Sequence, residues 1–174
     1  SLWDFRRKGW TFRSGGEDAT KPSGSGLFKS TDGGKSWTEV AEKSNKGFPA
    51  KPYGRITVAM APSNTKIVYA IVESEHSSLY RSDDGGATWD KRDNSQMMVW
   101  RPFYFGNLIV DPTNPDRVFK PDLALIQSLD GGKSCQCRRR RARRLPRGLD
   151  RSEEPGARDR RRRRRHLVLR GRRQ

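Results

Sequence analysis

An aromatic stretch near the middle of the chain is the strongest candidate for a ligand-binding surface. Residues 96–107 read QMMVWRPFYFGN and lack the polar and apolar alternation of a half-buried strand. Loops on a rigid scaffold often carry binding residues, and an arginine holds a carboxylate through two parallel hydrogen bonds. We therefore predict a ligand site formed by Trp100, Arg101, Phe103 and Tyr104. The alternative is that this stretch fills the space between two structural units.

A second candidate ligand patch lies near the beginning of the chain. Arg6 and Arg7 stand between Trp3 and Trp10. A planar cation beside aromatic rings suits an acidic ligand. The same residues equally fit a strand that packs on its neighbour.

The sequence assigns no catalytic residues. Glycoside hydrolysis uses two carboxyl groups about 5 to 9.5 Å apart. Glu73 and Glu75 are candidates for such a pair, although the polar stretch that they share with His76 fits a solvated hairpin tip better. We predict no cofactor and no metal site, because Cys135 and Cys137 are too few for a four-ligand zinc site.

The elements that position these side chains repeat along the chain. Residues 27–37 read LFKSTDGGKSW, residues 79–89 read LYRSDDGGATW, and residues 125–135 read LIQSLDGGKSC. A second pair of similar stretches, residues 56–69 and 106–119, lies between them. A repeat every 40 to 50 residues or so is typical of a solenoid or a propeller.

Each repeat is predicted to contain short strands joined by tight turns. Residues 56–60, 67–72 and 79–82 are apolar or alternating runs, and proline, asparagine and glycine separate them. Glycine and proline are too frequent for helices, and residues 15–16 and 23–26 are expected to form a flexible insertion. Over residues 1–134 we therefore predict an all-β fold, a partial β-propeller of about three four-stranded blades.

The repeated Ser-x-Asp-x-Gly-x-Ser/Thr-Trp pattern has a structural explanation. The serine and the aspartate can accept hydrogen bonds from turn N–H groups, and the glycine can adopt positive φ. The tryptophan is then expected to bury its ring between strands. The structural set comprises Ser30, Asp32, Gly34, Trp37, Ser82, Asp84, Gly86, Trp89, Ser128, Asp130 and Gly132.

These repeats resemble Asp-boxes, the bacterial neuraminidase repeat. The flanking residues 3–10, 52–55 and 100–105 resemble bacterial multi-bladed proteins described as sortilin-like or glycosyl-hydrolase-like. The resemblance covers residues 1–134. It implies an exported β-propeller, extracellular or periplasmic, with structural boxes at blade hairpins away from the ligand face. It implies no particular reaction.

Residues 135–174 differ sharply from the rest. They contain 18 arginines and no lysine, and they carry most of the net charge of +17. Such a segment is expected to be disordered. Because the third repeat stops at Cys135, we interpret the tail as the same gene read out of frame, a possibility that the nucleotide sequence around codons 133–136 decides. The alternative is a genuine tail that binds nucleic acid through its arginines.

The sequence predicts a fragment of an exported binding or interaction scaffold for a glycan or a peptide. Its start without methionine favours a fragment or a processed product, and no apolar run is long enough for a membrane helix. One alternative is a glycoside hydrolase fragment whose catalytic carboxylates lie partly outside the chain, which leaves open whether the protein is an enzyme. The other is the nucleic-acid binder.

Overall fold

The computed structural model describes residues 1–6, 23–41, 44–100 and 106–138. Residues Ser1–Arg139 form one compact unit. The predictions for Arg7, for residues 15–16 and 101–105, and for the tail beyond residue 138 lie outside the described residues. The described elements are β1 Leu27–Lys29, β2 Thr38–Val40, β3 Ile56–Ala61, β4 Asn64–Val72, β5 Ser78–Ser82, β6 Asp90–Lys91, α1 Gln96–Val99, β7 Ile109–Val110, β8 Val118–Pro121, β9 Leu125–Ser128 and β10 Gln136–Arg138.

The strands form antiparallel sheets in which chain neighbours pair. The second sheet has the order β3-β4-β5-β6 and the third β7-β8-β9-β10, while β1 and β2 form a two-stranded first sheet. Leu2 and Gly26 add an isolated bridge beside the first sheet. The predicted all-β, propeller-type fold is confirmed. The third sheet includes β10, which lies beyond the predicted domain boundary at residue 134.

Two local predictions were wrong. Residues 96–99 form one helical turn, in which the N–H groups of Met98 and Val99 donate to the Ser95 carbonyl. Met98 is fully buried, and this packing stabilises the turn in spite of Pro102, which follows it closely in the sequence. Residues 23–26 are not a flexible insertion, because the Ser23 hydroxyl donates to the Tyr53 carbonyl at 2.7 Å and Ser25 Oγ accepts from the Asp4 N–H at 2.8 Å.

Strand β4 of the second sheet is buried on both of its faces. In β4, residues 67–72 form an unbroken buried run. Val68, Ala70 and Val72 belong to one apolar cluster, which includes Leu27 of the preceding repeat and Trp89 of the same sheet's repeat. Ile67, Tyr69 and Ile71 belong to a second cluster, which includes Leu108, Val110 and Val118. The two clusters show that the sheets stack face to face, as blades do.

Only one of the two repeated tryptophans is buried. Trp89 is 5% exposed, and its ring centroid lies 5.2 Å from that of Phe48. The backbone N–H of Trp89 donates to the Lys46 carbonyl at 2.8 Å. Trp37 is 62% exposed, so its predicted burial was wrong. Lys46 and Phe48 follow the last strand of the preceding sheet. No described residue covers the Trp37 ring in the way that Phe48 covers the ring of Trp89.

We expect the two tryptophans to contribute unequally to stability. Trp89→Ala should lower the free energy of unfolding by about 3 to 5 kcal/mol, since it leaves a large cavity against Phe48. Trp37→Ala should change it by less than about 1 kcal/mol, because the ring is mostly in solvent. Urea denaturation of the two variants measures both values. Equal losses would show that Trp37 is packed as tightly as Trp89.

Candidate functional site

The strand order places the loops at two opposite edges of the stacked sheets. One edge, called the turn edge, carries the hairpins β1–β2, β3–β4, β5–β6, β7–β8 and β9–β10. The other edge, called the connection edge, carries the β4–β5 and β8–β9 loops and the β6–β7 connection. It also carries the segment that enters β3. The repeated Ser-Asp-Gly turns therefore lie at the edge opposite Trp100.

Hydrogen bonds within each Ser-Asp-Gly turn fix its shape. In the second turn, Ser82 Oγ accepts from the Gly86 N–H at 2.7 Å, and Asp84 Oδ1 accepts from the Thr88 N–H at 2.9 Å. The Thr88 hydroxyl donates to Asp84 Oδ2 at 2.6 Å. Gly85 and Gly86 have φ values of 72° and 93°, which side chains disfavour. The indole N–H of Trp89 closes the turn by donating to the Gly86 carbonyl.

The first and third turns repeat this geometry. Ser30 Oγ accepts from the Gly34 N–H and Asp32 Oδ1 from the Ser36 N–H, at 2.8 and 2.9 Å. Ser128 Oγ accepts from the Gly132 N–H at 2.8 Å and Asp130 Oδ1 from the Ser134 N–H at 2.9 Å. The hydrogen bonds that the sequence suggested are thus observed in all three turns.

The turn carboxylates are stabilised in their ionised form. The Ser134 hydroxyl and N–H donate to Asp130 and lower the pKa of that carboxyl to about 2. The Thr88 hydroxyl and N–H lower the pKa of Asp84, and Ser36 lowers that of Asp32 in the same way. A carboxylate that accepts several internal hydrogen bonds suits a structural role rather than proton transfer.

An ion pair ties the second sheet to the third at the turn edge. The Arg81 guanidinium donates to Asp116 Oδ1 at 2.5 Å, to Asp83 Oδ1 at 2.8 Å and to the Tyr69 hydroxyl at 3.0 Å. That hydroxyl donates in turn to the Pro115 carbonyl at 2.9 Å. Burial raises the pKa of Tyr69 to about 12, so the phenol keeps its proton.

Glu73 is the buried carboxylate of the connection edge. It is 1% exposed, and its Oε2 accepts from the Arg55 N–H at 2.7 Å. Its carbonyl accepts from the Gly54 N–H at 2.8 Å. The expectation of a solvated tip was wrong for Glu73, because the segment entering β3 covers it, but it is confirmed for the exposed Glu75 and His76. Glu73 therefore fixes two loops to each other.

The N-terminal patch is an ion pair beside a stacked tryptophan. The Arg6 guanidinium contacts the Asp4 carboxylate at 2.5 Å and lowers the pKa of that carboxyl. The Arg55 guanidinium lies 5.1 Å from the centre of the Trp3 ring, and Trp3 is 41% exposed. Sequence reasoning placed Arg6 here but missed Arg55, which comes from a distant part of the chain.

The predicted aromatic site is described in part. Trp100 follows α1 and is 37% exposed, while Arg101, Phe103 and Tyr104 lie outside the described residues. The buried Lys120 contacts the α1 turn, because its Nζ donates to the Met97 carbonyl at 3.5 Å. Lys120 also forms a buried ion pair with Asp122. Sequence reasoning missed Lys120. Its position in β8, two residues after the apolar Val118, could have indicated that its side chain is buried.

Other chemistry receives little support in the described part of the chain. No group of three or more His, Cys, Asp or Glu residues there could hold a metal ion. None of the described helices is long and apolar enough to cross a membrane. Burial and the neighbouring Asp93 raise the pKa of the Cys135 thiol, which therefore stays protonated and unreactive near neutral pH.

The stacked four-stranded sheets with repeated hairpin turns define a protein of the β-propeller type. No protein-family model matches the chain. A xyloglucanase from Paenibacillus sp is 37% identical over 82 residues, 38% of this chain and 8% of that protein. Xyloglucanase Xgh74A from Acetivibrio thermocellus is 35% identical over 81 residues, again 38% of this chain, and 10% of its own length. The chain thus spans about a tenth of these curated relatives.

Two solved structures were also matched. The GH74 xyloglucanase from Xanthomonas campestris gives a TM-score of 0.47 and 21% identity over 65% of this chain and 18% of that one. An ancestral GH74 enzyme gives a TM-score of 0.44 and 18% identity, and the match covers 64% of this chain and 15% of that one. The sequence relatives favour the glycoside-hydrolase alternative over the scaffold interpretation, and the nucleic-acid interpretation gains no support from them.

We expect the Ser-Asp-Gly turns to make the fold sensitive to acid. The pKa of Asp130 is lowered from 3.8 to about 2 in the folded chain. Because the folded-state pKa lies below the unfolded-state value, the stabilisation is present above about pH 4 and is lost as the pH falls toward about 2. The thermal midpoint, measured across this range, should fall accordingly.

The variant Asp84→Asn tests the assignment to the turns. It removes one turn carboxylate, so its loss of thermal midpoint relative to the wild type should be largest near neutral pH and shrink in acid. Asp90→Asn is the matched control, because Asp90 is 72% exposed and lies outside these turns. A pH profile of Asp84→Asn that runs parallel to the wild type would contradict the assignment.

Proposed function

We propose that this chain is a propeller segment of a glycoside-hydrolase-like protein and that its connection edge contacts a polysaccharide of the xyloglucan type. The sequence similarity to two xyloglucanases supports the substrate class. The observation that carries the placement is the pair of exposed tryptophans, Trp3 and Trp100, at the edge opposite the Ser-Asp-Gly turns. A glucan chain presents apolar sugar faces that such rings can cover.

Physical differences between the two edges support this placement. The three turn aspartates at the turn edge accept internal hydrogen bonds, which leaves them little capacity for a ligand. At the connection edge, by contrast, Trp3 and Trp100 keep about 40% of their surface in solvent (41% and 37%). The segment of Trp3 is held by the bond from the Asp4 N–H to Ser25 Oγ, and Trp100 follows the helical turn that Lys120 contacts. A preorganised loop loses little entropy when it binds.

The remaining predicted ligand residues are part of the same proposal. In this proposal the ligand residues also include Arg101, Phe103 and Tyr104, which follow Trp100 in the sequence, and Arg6 and Arg7, which follow Trp3. Arg101 supplies a charge-assisted hydrogen bond to a sugar oxygen or a carboxylate. In this proposal the catalytic carboxylates lie partly outside the chain, and Glu73 is not one of them, since it is buried and engaged by a backbone N–H.

The finer family features are part of the same proposal. The three turns act as Asp-boxes, structural hairpins of an exported protein that works outside the cell or in the periplasm. Residues 135–174 are an out-of-frame extension that does not contribute to binding. The observed turn geometry supports the assignment of the turns as Asp-boxes. The change of composition after residue 134 supports the out-of-frame extension.

Replacing either exposed tryptophan of the connection edge should weaken polysaccharide binding. Trp100→Ala and Trp3→Ala should each lower the affinity for soluble xyloglucan by about tenfold, because each loses one aromatic contact of about 1 to 1.5 kcal/mol. Affinity electrophoresis in xyloglucan gels measures the shift. Trp37→Ala is the matched control, since Trp37 is even more exposed, at 62%, but lies at the turn edge.

The control separates the possible outcomes. Weaker binding in both connection-edge variants with normal binding in Trp37→Ala would support the proposal. Normal binding in all three variants, or a loss confined to Trp37→Ala, would move the ligand surface away from the connection edge. Thermal midpoints measured alongside identify any variant whose binding falls because it unfolds.

A further inference from the structure

Trp3 and Arg55 form a stacked pair at the connection edge. The guanidinium carbon of Arg55 lies 5.1 Å from the centre of the Trp3 ring, the indole is exposed, and Arg55 is half-buried. A guanidinium placed over an aromatic ring is attracted by the π-electrons, and its N–H groups point outward in its own plane. The pair therefore combines an apolar ring surface with hydrogen-bond donors that are fixed in one plane.

A serine relay holds the indole beside the guanidinium. The Asp4 N–H donates to Ser25 Oγ at 2.8 Å, and the Ser25 N–H donates to Ser23 Oγ at 3.1 Å. The Ser23 hydroxyl donates in turn to the Tyr53 carbonyl at 2.7 Å. Asp4 directly follows the tryptophan, and Tyr53 lies two residues before the arginine. Because Ser25 is buried, the relay is shielded from water at its centre.

The buried Glu73 holds the backbone of Arg55 from two directions. Glu73 Oε2 accepts from the Arg55 N–H at 2.7 Å, and the Glu73 N–H donates to the Arg55 carbonyl at 3.0 Å. A side chain on Gly54 would overlap the same carboxylate, so this arrangement requires glycine at that position. The backbone from which the guanidinium extends is thus fixed before any ligand arrives.

The charges around the stacked pair favour a neutral ligand. The described charged side chains within three residues of Trp3, Arg55 or Glu73 are Asp4, Arg6, Arg55, Glu73 and Glu75. Three carboxylates thus stand against two guanidinium groups in this part of the described chain. A ligand carboxylate would meet more negative than positive charge, whereas a sugar hydroxyl accepts a hydrogen bond without that cost.

We propose that Trp3 and Arg55 form a subsite for one neutral sugar ring with two adjacent hydroxyl groups. The sugar lies against the exposed part of the indole, and Arg55 donates two parallel hydrogen bonds to the neighbouring hydroxyl oxygens. Glu73 is a positioning residue, which acts through the Arg55 backbone and contacts no sugar. This inference rests on the proposed function, to which it adds a ligand-binding residue and the charge class of the ligand.

Nuclear magnetic resonance of the intact 174-residue chain measures the positioning without a ligand. The ring current of Trp3 should shift the Arg55 side-chain protons upfield, and Arg55→Lys identifies these signals by removing them. Glu73→Met keeps the length of the side chain but removes both carboxylate oxygens, so most of the shift should be lost. Glu73→Gln should restore it, because an amide oxygen still accepts the Arg55 N–H. Unchanged signals of Trp89 show that each variant is folded.

Affinity electrophoresis in xyloglucan gels measures the ligand role. Arg55→Lys should lower the affinity by about threefold to tenfold, because lysine cannot donate two parallel hydrogen bonds in one plane. Glu73→Met should weaken binding in the same way, and Glu73→Gln should restore it. Arg117→Lys is the matched control and should leave the affinity unchanged, since Arg117 lies at the turn edge and pairs with Asp111.

Gels that contain carboxymethyl-cellulose test the charge class of the ligand. The arginines of residues 135–174 attract any anionic polymer, so the informative quantity is the loss caused by Arg55→Lys, which keeps the charge. That loss should appear with the neutral xyloglucan. A loss confined to carboxymethyl-cellulose would make Arg55 a carboxylate-binding residue and overturn the neutral ligand class.

The outcomes separate this inference from the proposed function. Unchanged xyloglucan binding in Arg55→Lys, with affinity lost in Trp3→Ala and Trp100→Ala, would overturn the subsite and leave the proposed function intact. No binding by the wild-type chain would overturn the proposed function together with the ligand of this subsite. The resonances of Arg55 decide the role of Glu73 in either case, because an absent upfield shift, or an equal shift in Glu73→Met, would exclude it as a positioning residue.

Discussion

The burial of β4 on both faces is the constraint on which the rest of the structure depends. A strand with an unbroken apolar run cannot face water on either side, so it requires a sheet above it and another below. The first sheet and Phe48 cover one face, and the third sheet with Met98 covers the other. The stacking of the sheets is thus a consequence of the composition of one strand.

The Ser-Asp-Gly turns convert this stacking into a defined geometry. Each turn uses a serine and an aspartate to hold its own backbone, and two glycines with positive φ let the chain reverse sharply. In the second turn this places the Trp89 ring against Phe48 of the preceding segment. Because the turns are occupied with their own hydrogen bonds, the opposite edge is where longer and less regular loops can differ between relatives and carry binding residues.

The sequence predicted what depends on neighbours along the chain. In each of the three turns, the residues that bond to one another lie within eight positions of the chain. Their hydrogen bonds therefore followed from residue type and spacing. Contacts between distant residues did not follow. Arg55 meets Glu73 across 18 positions and Arg81 meets Asp116 across 35, and nothing local marks either pair. The exposure of Trp37 was missed for the same reason, since a repeated residue is buried only where its repeated partner is also present.

Hydrogen exchange of the intact chain tests the central role of β4 most directly. If the two covered faces hold the fold together, the amides of Val68, Ala70 and Ile71 exchange most slowly and only through global unfolding. The amides of β1 and β2, which have one neighbouring sheet and one open edge among the described residues, then exchange faster through local opening. Protection in β1 and β2 equal to that in β4, or local opening of β4 itself, would contradict this account.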